Sequence, residues 1–278
     1  MRIPVTTLND GYDFPLLGLG TYKLQGEECT NIVRRAIELG YRHIDTASFY
    51  GNEEQVGRAV ADAIAAGDVT REELFITSKL WNDDQGRAAE AYEESLQRMG
   101  LEFIDLFLVH WPWPQCGTFV QAYESLVQLQ GMGRLQSVGV ANFYEEVLDE
   151  IIARTGVVPV LNQVELHAGF TQPELCAYHQ DKGIVTEAWA PLARGANLDD
   201  PVLSHLAEKH GRTPAQIALA YVMSLGCSVV PKTANSARLE ENLGAVEVEL
   251  SQDDIAALDA LSGERMSNDP REFPGEPS

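Results

Sequence analysis

The chain has 278 residues, enough to bury a large core in one barrel-sized domain or two smaller ones, and carries a formal net charge of -22. With 42 acidic against 20 basic residues, it offers no basic face for nucleic acid or for an anionic membrane surface. No apolar run approaches the roughly 18–20 residues of a membrane helix, and Met1 to Asp10 has no apolar core of signal-peptide length, so a cytoplasmic protein is expected.

Val5 to Asn9, Asp10-Gly11 and Phe14 to Leu16 read as a hairpin about an Asp-Gly turn. Leu17 to Tyr22 follows as a short strand. Helical spacing from Glu27 to Leu39, with Ile32, Ala36 and Leu39 on one face, predicts a helix ended by Gly40. Ile44 is strand. Asn52 and Gln55 form a capping-box pattern, and Val56, Val60 and Ile64 mark the buried face of the next helix, closed by Gly67. Leu74 to Lys79 is strand and Glu90 to Met99 helix. Phe103 to His110 is apolar on both faces, as a parallel strand covered by helices would be. Helix Phe119 to Leu129, strand Ser137 to Val140, helix Glu145 to Ala153 and strand Val158 to Asn162 come next. Thr171, with Glu174, caps a helix running to Asp181, and Ile184 to Ala188 is strand. Thr213-Pro214-Ala215-Gln216 starts a helix with proline in its first position. Ser228 to Val230 is the last strand and Ser236 to Leu243 a helix. Ser251 opens an extra helix with Ile255, Leu258 and Leu261 on its apolar face. The polar, Pro-rich stretch after Gly263 reads as a closing loop over 264–278.

Strand and helix alternate about eight times, roughly every 25–35 residues, which predicts one parallel α/β domain over 1–278. It is either a closed barrel or an open doubly wound sheet. The first strand is not followed by GxGxxG, which counts against the open dinucleotide-binding sheet. The count of eight favours a (β/α)8 barrel with an N-terminal hairpin and extra helices near the C-terminus.

Cys29, Cys116, Cys176 and Cys227 are scattered, with no CxxC pair and no histidine at metal spacing. They read as reduced thiols, with neither a disulfide framework nor a metal site. Only five lysines are present: Lys23, Lys79, Lys182, Lys209 and Lys232. Such an acid excess repels itself at low salt and is screened at high salt, so the chain reads either as that of a salt-tolerant or halophilic source, with stability that rises with KCl, or as an ordinary acidic cytosolic enzyme.

Barrel active sites lie at the C-terminal ends of the strands. Those ends read Asp45, Lys79, His110, Asn142, Gln163, Trp189 and Lys232, and Tyr50 lies in the loop after Asp45. Apolar strands ending this way seven times over are better explained by a shared site than by packing. A tyrosine with a pKa near ~10 is a poor acid at neutral pH, and a close ammonium lowers that value. Lys79 is the candidate ammonium, which Asp45 would keep charged and oriented. His110 would orient a substrate carbonyl or share its proton. The set can protonate an oxygen as hydride arrives at its carbon, with no metal needed. The motifs show no Ser-His-Asp or Cys-His nucleophile.

These residues resemble the aldo-keto reductase superfamily. The resemblance is carried by His43-Ile44-Asp45-Thr46-Ala47 with Tyr50-Gly51-Asn52-Glu53, Ile76-Thr77-Ser78-Lys79-Leu80-Trp81, and Asp105-Leu106-Phe107-Leu108-Val109-His110-Trp111-Pro112, and extends from Leu8 to Leu261. Glu187-Ala188-Trp189-Ala190-Pro191-Leu192 and Lys209 to Gln216 are most similar to the prokaryotic 2,5-diketo-D-gluconate reductases. The resemblance implies an NADPH-dependent carbonyl reductase, with NADH weaker. Asp45, Tyr50, Lys79 and His110 would be its catalytic tetrad, with Tyr50 the general acid. Asn142 and Gln163 would hold the carboxamide and Trp189 would stack on the nicotinamide. Gly20, Thr21, Tyr22, Ala190, Pro191, Leu192 and Gly195 would complete the cofactor groove. Lys232, Thr233 and Arg238 would hold the 2′-phosphate, and Glu241 and Asn242 would reach the adenine. Tyr22, Phe49, Trp81, His110 and Trp111 would line the substrate pocket.

Three departures from the family pattern stand out. Ala141 replaces a serine, which would cost about 0.5–1.5 kcal/mol of carboxamide binding if nothing substitutes for the hydroxyl. Asn235 stands where relatives carry arginine, which would weaken the preference for NADPH over NADH. His167-Ala168 replaces His-Pro and reads as structural. The expected partner is a small carbonyl compound and the expected state a monomer. The alternatives are a broad aldehyde and α-dicarbonyl reductase, or a non-catalytic NADPH-binding protein on the same fold.

Overall fold

The computed structural model describes residues 2–273 and 275. The chain opens with β1 (Val5–Thr7) and β2 (Asp13–Pro15), an antiparallel hairpin with Thr7 opposite Asp13. Leu8 and Phe14 of this hairpin are buried against Phe75, Leu106 and Leu161 at the N-terminal ends of the barrel strands, so the hairpin plugs that end. From there the chain alternates through β3 (Leu19–Gly20), α1 (Gly26–Leu39), β4 (His43–Asp45), α2 (Glu53–Ala66), β5 (Phe75–Leu80), α3 (Ala88–Met99) and β6 (Leu106–Val109). It continues through α4 (Phe119–Gly131), β7 (Ser137–Ala141), α5 (Glu145–Thr155), β8 (Leu161–Glu165), α6 (Pro173–Lys182) and β9 (Val185–Trp189). Last come α7 (Pro201–His210), α8 (Pro214–Ser224), β10 (Ser228–Val230), α9 (Ser236–Leu243) and α10 (Gln252–Asp259).

Strands β3 to β10 pair parallel, each with its sequence neighbour. Parallel bridges Leu17–Val229 and Gly20–Lys232 join the first to the last, and Gly18 N–H donates to the Val229 carbonyl at 2.9 Å. The sheet thus closes into a (β/α)8 barrel. Its strands are buried on both faces, one inside the barrel and one under the helices, which is why β6 reads as a continuous apolar run. Among the described residues no helix is long and apolar enough to cross a membrane.

Several local expectations give way to other interactions. Asn52 sits at the N-cap of α2 but makes no capping bond. Its side chain instead accepts from Thr46 Oγ1 at 2.7 Å and donates to the Thr21 and Leu24 carbonyls, both at 2.9 Å, tying the β3 and β4 loops together. Ile64 is 37% exposed, and Ala59 and Ala63 complete the buried face of α2. β8 begins at Leu161 rather than Val158, because Pro159 has no N–H for the ladder. At α6 the N-cap is Gln172 at φ 47°, with Pro173 in the first turn, so Thr171 and Glu174 form no capping box. Thr213 and Gln216 do form one at α8. Helix α7 has no counterpart among the sequence expectations. Asp200 caps it by accepting from Val202 N–H at 2.7 Å, and Leu203, Leu206 and Ala207 are its buried face.

Gly57 marks a close crossing of α2 and α3 on the helical layer. A Cβ there would lie 1.9 Å from the Met99 carbonyl oxygen at the end of α3. Backbone cannot yield as a flexible side chain does, so Gly57→Ala should destabilise the fold by about 2–3 kcal/mol in urea unfolding. Unchanged stability would show that α2 and α3 part without cost.

Candidate active site

Side chains alternate along each strand, so His43 and Asp45 on β4, Thr77 and Lys79 on β5, and Glu187 and Trp189 on β9 share the interior face of the barrel. Lys79 is 0% exposed. Its Nζ donates to Asp45 Oδ1 at 2.6 Å, Asp45 Oδ2 at 2.7 Å and the Thr46 carbonyl at 2.8 Å. An ammonium has three donors, and all three are used here, which is what a buried cation requires.

Tyr50 closes a single 3-10 turn, Ser48–Tyr50, held from below by Ser48 Oγ donating to the Lys79 carbonyl at 2.9 Å. From the side, Gln25 Nε2 donates to the Tyr50 carbonyl at 2.7 Å. The half-buried Tyr50 ring has Lys79 Nζ 5.1 Å from its centroid and meets the His110 ring edge-on at 5.8 Å. Asn142, at φ 63° after β7, donates from Nδ2 to the His110 carbonyl at 3.0 Å, and its Oδ1 accepts from Trp189 Nε1 at 2.9 Å. Gln163 donates from Nε2 to Asp45 Oδ2 at 2.8 Å and to Glu187 Oε2 at 2.6 Å.

The electrostatics correct one expectation. Burial, then Asp45, Tyr22 and Glu187, push the Tyr50 phenol well above its ordinary range. Burial and the facing carboxylates, not the Lys79 ammonium, set the direction. The resting site therefore holds a protonated phenol. Burial, then Lys79, pushes His110 well below its ordinary value, so its imidazole is neutral. Burial raises Asp45, while Lys79 and Gln163 hold it down.

These groups form the floor of a cavity of about 450 Å³. Tyr22, Phe49, Trp81 and Trp111 line its aromatic side, with Phe49 stacked on Trp81 at 3.9 Å. Gly20, Ala190, Pro191, Leu192 and Gly195 line the groove leading to Lys232 and Arg238. Lys79, Thr21, Thr233, Glu241 and Asn242 lie behind the cavity wall and do not line it. Thr21 Oγ1 donates to the Asp45 carbonyl at 2.9 Å, and Asn235 N–H donates to Thr233 Oγ1 at 3.0 Å. Glu241 accepts from Thr213 Oγ1 at 2.7 Å, and Asn242 is 4% exposed.

Both departures near the groove have structural partners. Asn235 caps α9 by accepting from Ala237 N–H at 2.8 Å, and the Ala141 methyl packs in the apolar cluster of Leu106, Leu108 and Leu161.

Six lining residues have no place in the sequence reading of the site: Lys23, Arg194, Leu198, Val230, Pro231 and Ser267. Phe273, in the tail expected only to close the chain, is 1% exposed and stacks on Trp111 at 4.1 Å and 6°. Tail residues 274 and 276–278 lie outside the described residues. Glu187 was also missed as a site residue, although it stands two positions before Trp189 on one strand and alternation alone puts an acid inside the barrel.

A (β/α)8 barrel with a buried Asp-Lys pair, a tyrosine and a neutral histidine at its C-terminal mouth is the architecture of a carbonyl oxidoreductase. The aldo/keto reductase family model matches residues 16–262, and the chain belongs to that family. It is similar to an aldo-keto reductase of Mycolicibacterium smegmatis, 44% identical over 273 residues and covering 97% of this chain and 98% of the relative. Methylglyoxal reductase DkgA of Salmonella typhimurium is 43% identical over 274 residues, 98% of each chain. Among solved structures, a mutant of Gox0644 in complex with NADPH superposes with a TM-score of 0.93 at 40% identity, covering 98% of this chain and 99% of that one. An aldo-keto reductase of Bombyx mori in complex with NADP gives a TM-score of 0.91 at 34% identity, covering 100% of both chains.

The buried pair gives a direct test. Asp45→Asn leaves the Lys79 ammonium without its counter-charge and should cost about 3–5 kcal/mol of stability in denaturant unfolding. A loss below about 1 kcal/mol, the range of an exposed pair, would show that water reaches Nζ.

Proposed function

We propose that the chain is an NADPH-dependent reductase of small aldehydes and α-dicarbonyls such as methylglyoxal, with Tyr50 as the general acid. One observation carries this reading: the Tyr50 phenol is held protonated beside neutral His110, above a buried Lys79–Asp45 pair, on the floor of an aromatic cavity. The full-length likeness to methylglyoxal reductase DkgA supports the substrate class, and the NADPH and NADP complexes of similar structures support the cofactor.

The donor set fits a nicotinamide dinucleotide. Gln163 spends its N–H groups on Asp45 and Glu187, leaving Oε1 as an acceptor. Asn142 Oδ1 accepts from Trp189 and keeps a second lone pair. Two acceptor oxygens suit the two N–H donors of a carboxamide. Lys232 and Arg238, with the start of α9 between them, suit the 2′-phosphate.

NADPH supplies the hydride when bound. The protein's part is to place the carbonyl oxygen between Tyr50 and His110 and to give it a proton. His110, as a neutral donor, orients the oxygen, and the phenol proton moves to it as negative charge develops there. The phenolate so formed returns to phenol by taking up a proton. In alcohol oxidation the same phenolate acts as the base.

A second reading, reduction of a keto acid of the 2,5-diketo-D-gluconate type, is favoured by Arg194. This exposed cation lines the cavity and has no ion pair among the described residues. A substrate panel decides between them. Comparable kcat/KM for methylglyoxal and simple aldehydes supports the broad reductase, whereas a strong preference for the diketo acid supports the second reading. No NADPH consumption with any carbonyl would refute both.

Tyr50→Phe should lower kcat by about 10²–10⁴-fold while NADPH affinity, read by fluorescence quenching, stays as in the parent. Retained turnover would remove the acid assignment. Arg238→Ala should raise KM for NADPH about tenfold, the equivalent of one charge-assisted contact, and leave KM for NADH unchanged. Equal effects on the two cofactors would remove the phosphate role.

A further inference from the structure

Glu187 lies beneath the cavity floor, at the register of Gln163 on β8 and Ser228 on β10. Its side chain is 0% exposed. Oε2 accepts from Gln163 Nε2 at 2.6 Å, while Oε1 is 3.3 Å from Ser228 Oγ and 3.6 Å from His43 Nδ1. The same Gln163 amide donates to Asp45. Two buried carboxylates are thus bridged by one NH₂ group. A single ammonium stands beside them, and its donors all go to Asp45 and Thr46.

His43 does not supply a second positive charge. Burial, then Lys79, pushes its pKa down to about 3. Its ring is pinned between Phe14 at 4.7 Å and Phe75 at 5.8 Å, and Gly18 lies so close that a Cβ there would be 2.3 Å from Nδ1. Nε2 is 3.1 Å from Thr77 Oγ1, whereas Nδ1 is buried with no hydrogen-bond partner. An uncompensated buried carboxylate is costly, and so is an unsatisfied buried lone pair. With the His43 ring proton on Nε2 facing Thr77 Oγ1, one proton on Glu187 Oε1, 3.6 Å from Nδ1, removes both costs.

We propose that Glu187 is a positioning residue that works in its protonated form, bridging His43 and Gln163 so that Gln163 turns its carbonyl oxygen to the cavity. The groups facing it are His43 and Asp45 on β4, Lys79 on β5, Gln163 on β8, Ser228 on β10 and Tyr50 in the loop after β4. Burial, then Asp45, raises its pKa from 4.5 to about 8. Between those values the folded chain holds a proton that the unfolded chain has released, so this group makes stability fall as pH rises. A cation shared by His43, Asp45 and Glu187, whose ligand atoms lie within 4.8 Å of one another, is the other way to neutralise the cluster. Lys79 Nζ already stands on both oxygens of Asp45.

The proposal rests on the reductase reading only for its effect on cofactor binding, and the first test needs no turnover. Denaturant unfolding of the parent protein and E187Q is followed across a pH series. E187Q should gain stability over the parent progressively from pH 4.5 to about 8 and level off above. A difference that does not change with pH overturns the proposal, as does a stoichiometric divalent metal in the purified protein. In the second test, Glu187→Met should weaken NADPH binding about fivefold, the equivalent of one neutral hydrogen bond, and E187Q should rescue that loss. Equal damage by the two variants overturns the positioning role. Failure of the reductase reading would leave the stability test intact.

Discussion

The Lys79–Asp45 pair is the constraint to which the rest of the site answers. An ammonium with no solvent exposure is tolerated only when every donor is met and its charge is matched. Here both oxygens of Asp45 and the Thr46 carbonyl meet it. That geometry requires β4 and β5 to be adjacent and in fixed register, with Asp45 opposite Thr77 so that Lys79 reaches across one step further up the barrel. The loop after β4 is fastened just as firmly. Asn52 gives up the helix cap its position offers and uses its amide to tie Thr46 to the Thr21 and Leu24 carbonyls. Tyr50, two residues earlier, is thereby held over the pair.

Much of this was legible because barrels concentrate chemistry at strand ends. Asp45, Lys79, His110, Asn142, Gln163 and Trp189 each stand in or just after a barrel strand, and parallel closure brings them together. Residues whose role depends on a distant partner were not legible. Asn52 reads as a helix cap from its neighbours, and only the fold supplies the three groups it prefers. Phe273 sits in a polar, Pro-rich tail that gives no periodic signal, yet it stacks on Trp111. Helix α7 was missed because its apolar face is three residues wide, although Asp200-Pro201 is a regular start signal. The Tyr50 pKa was read in the wrong direction because spacing shows that an ammonium is near but not how far burial and the facing carboxylates outweigh it.

Charge distribution joins the site to the whole molecule. A net charge of -22 repels an anionic dinucleotide at long range. Many of the arginines pair with carboxylates on the surface, as Arg87 does with Asp84 and Glu94. Lys23, Arg194, Lys232 and Arg238 line the cavity and form no ion pair among the described residues. Keeping these four cations unpaired in so acidic a chain gives the mouth a local sign opposite to that of the molecule. Salt screens the long-range repulsion over about 8–10 Å at moderate ionic strength but acts less on contacts already made inside the groove. Added salt should therefore relieve the global penalty more than it weakens the proposed phosphate contacts. An acidic surface and a cation-lined mouth are compatible on one chain because they act at different ranges.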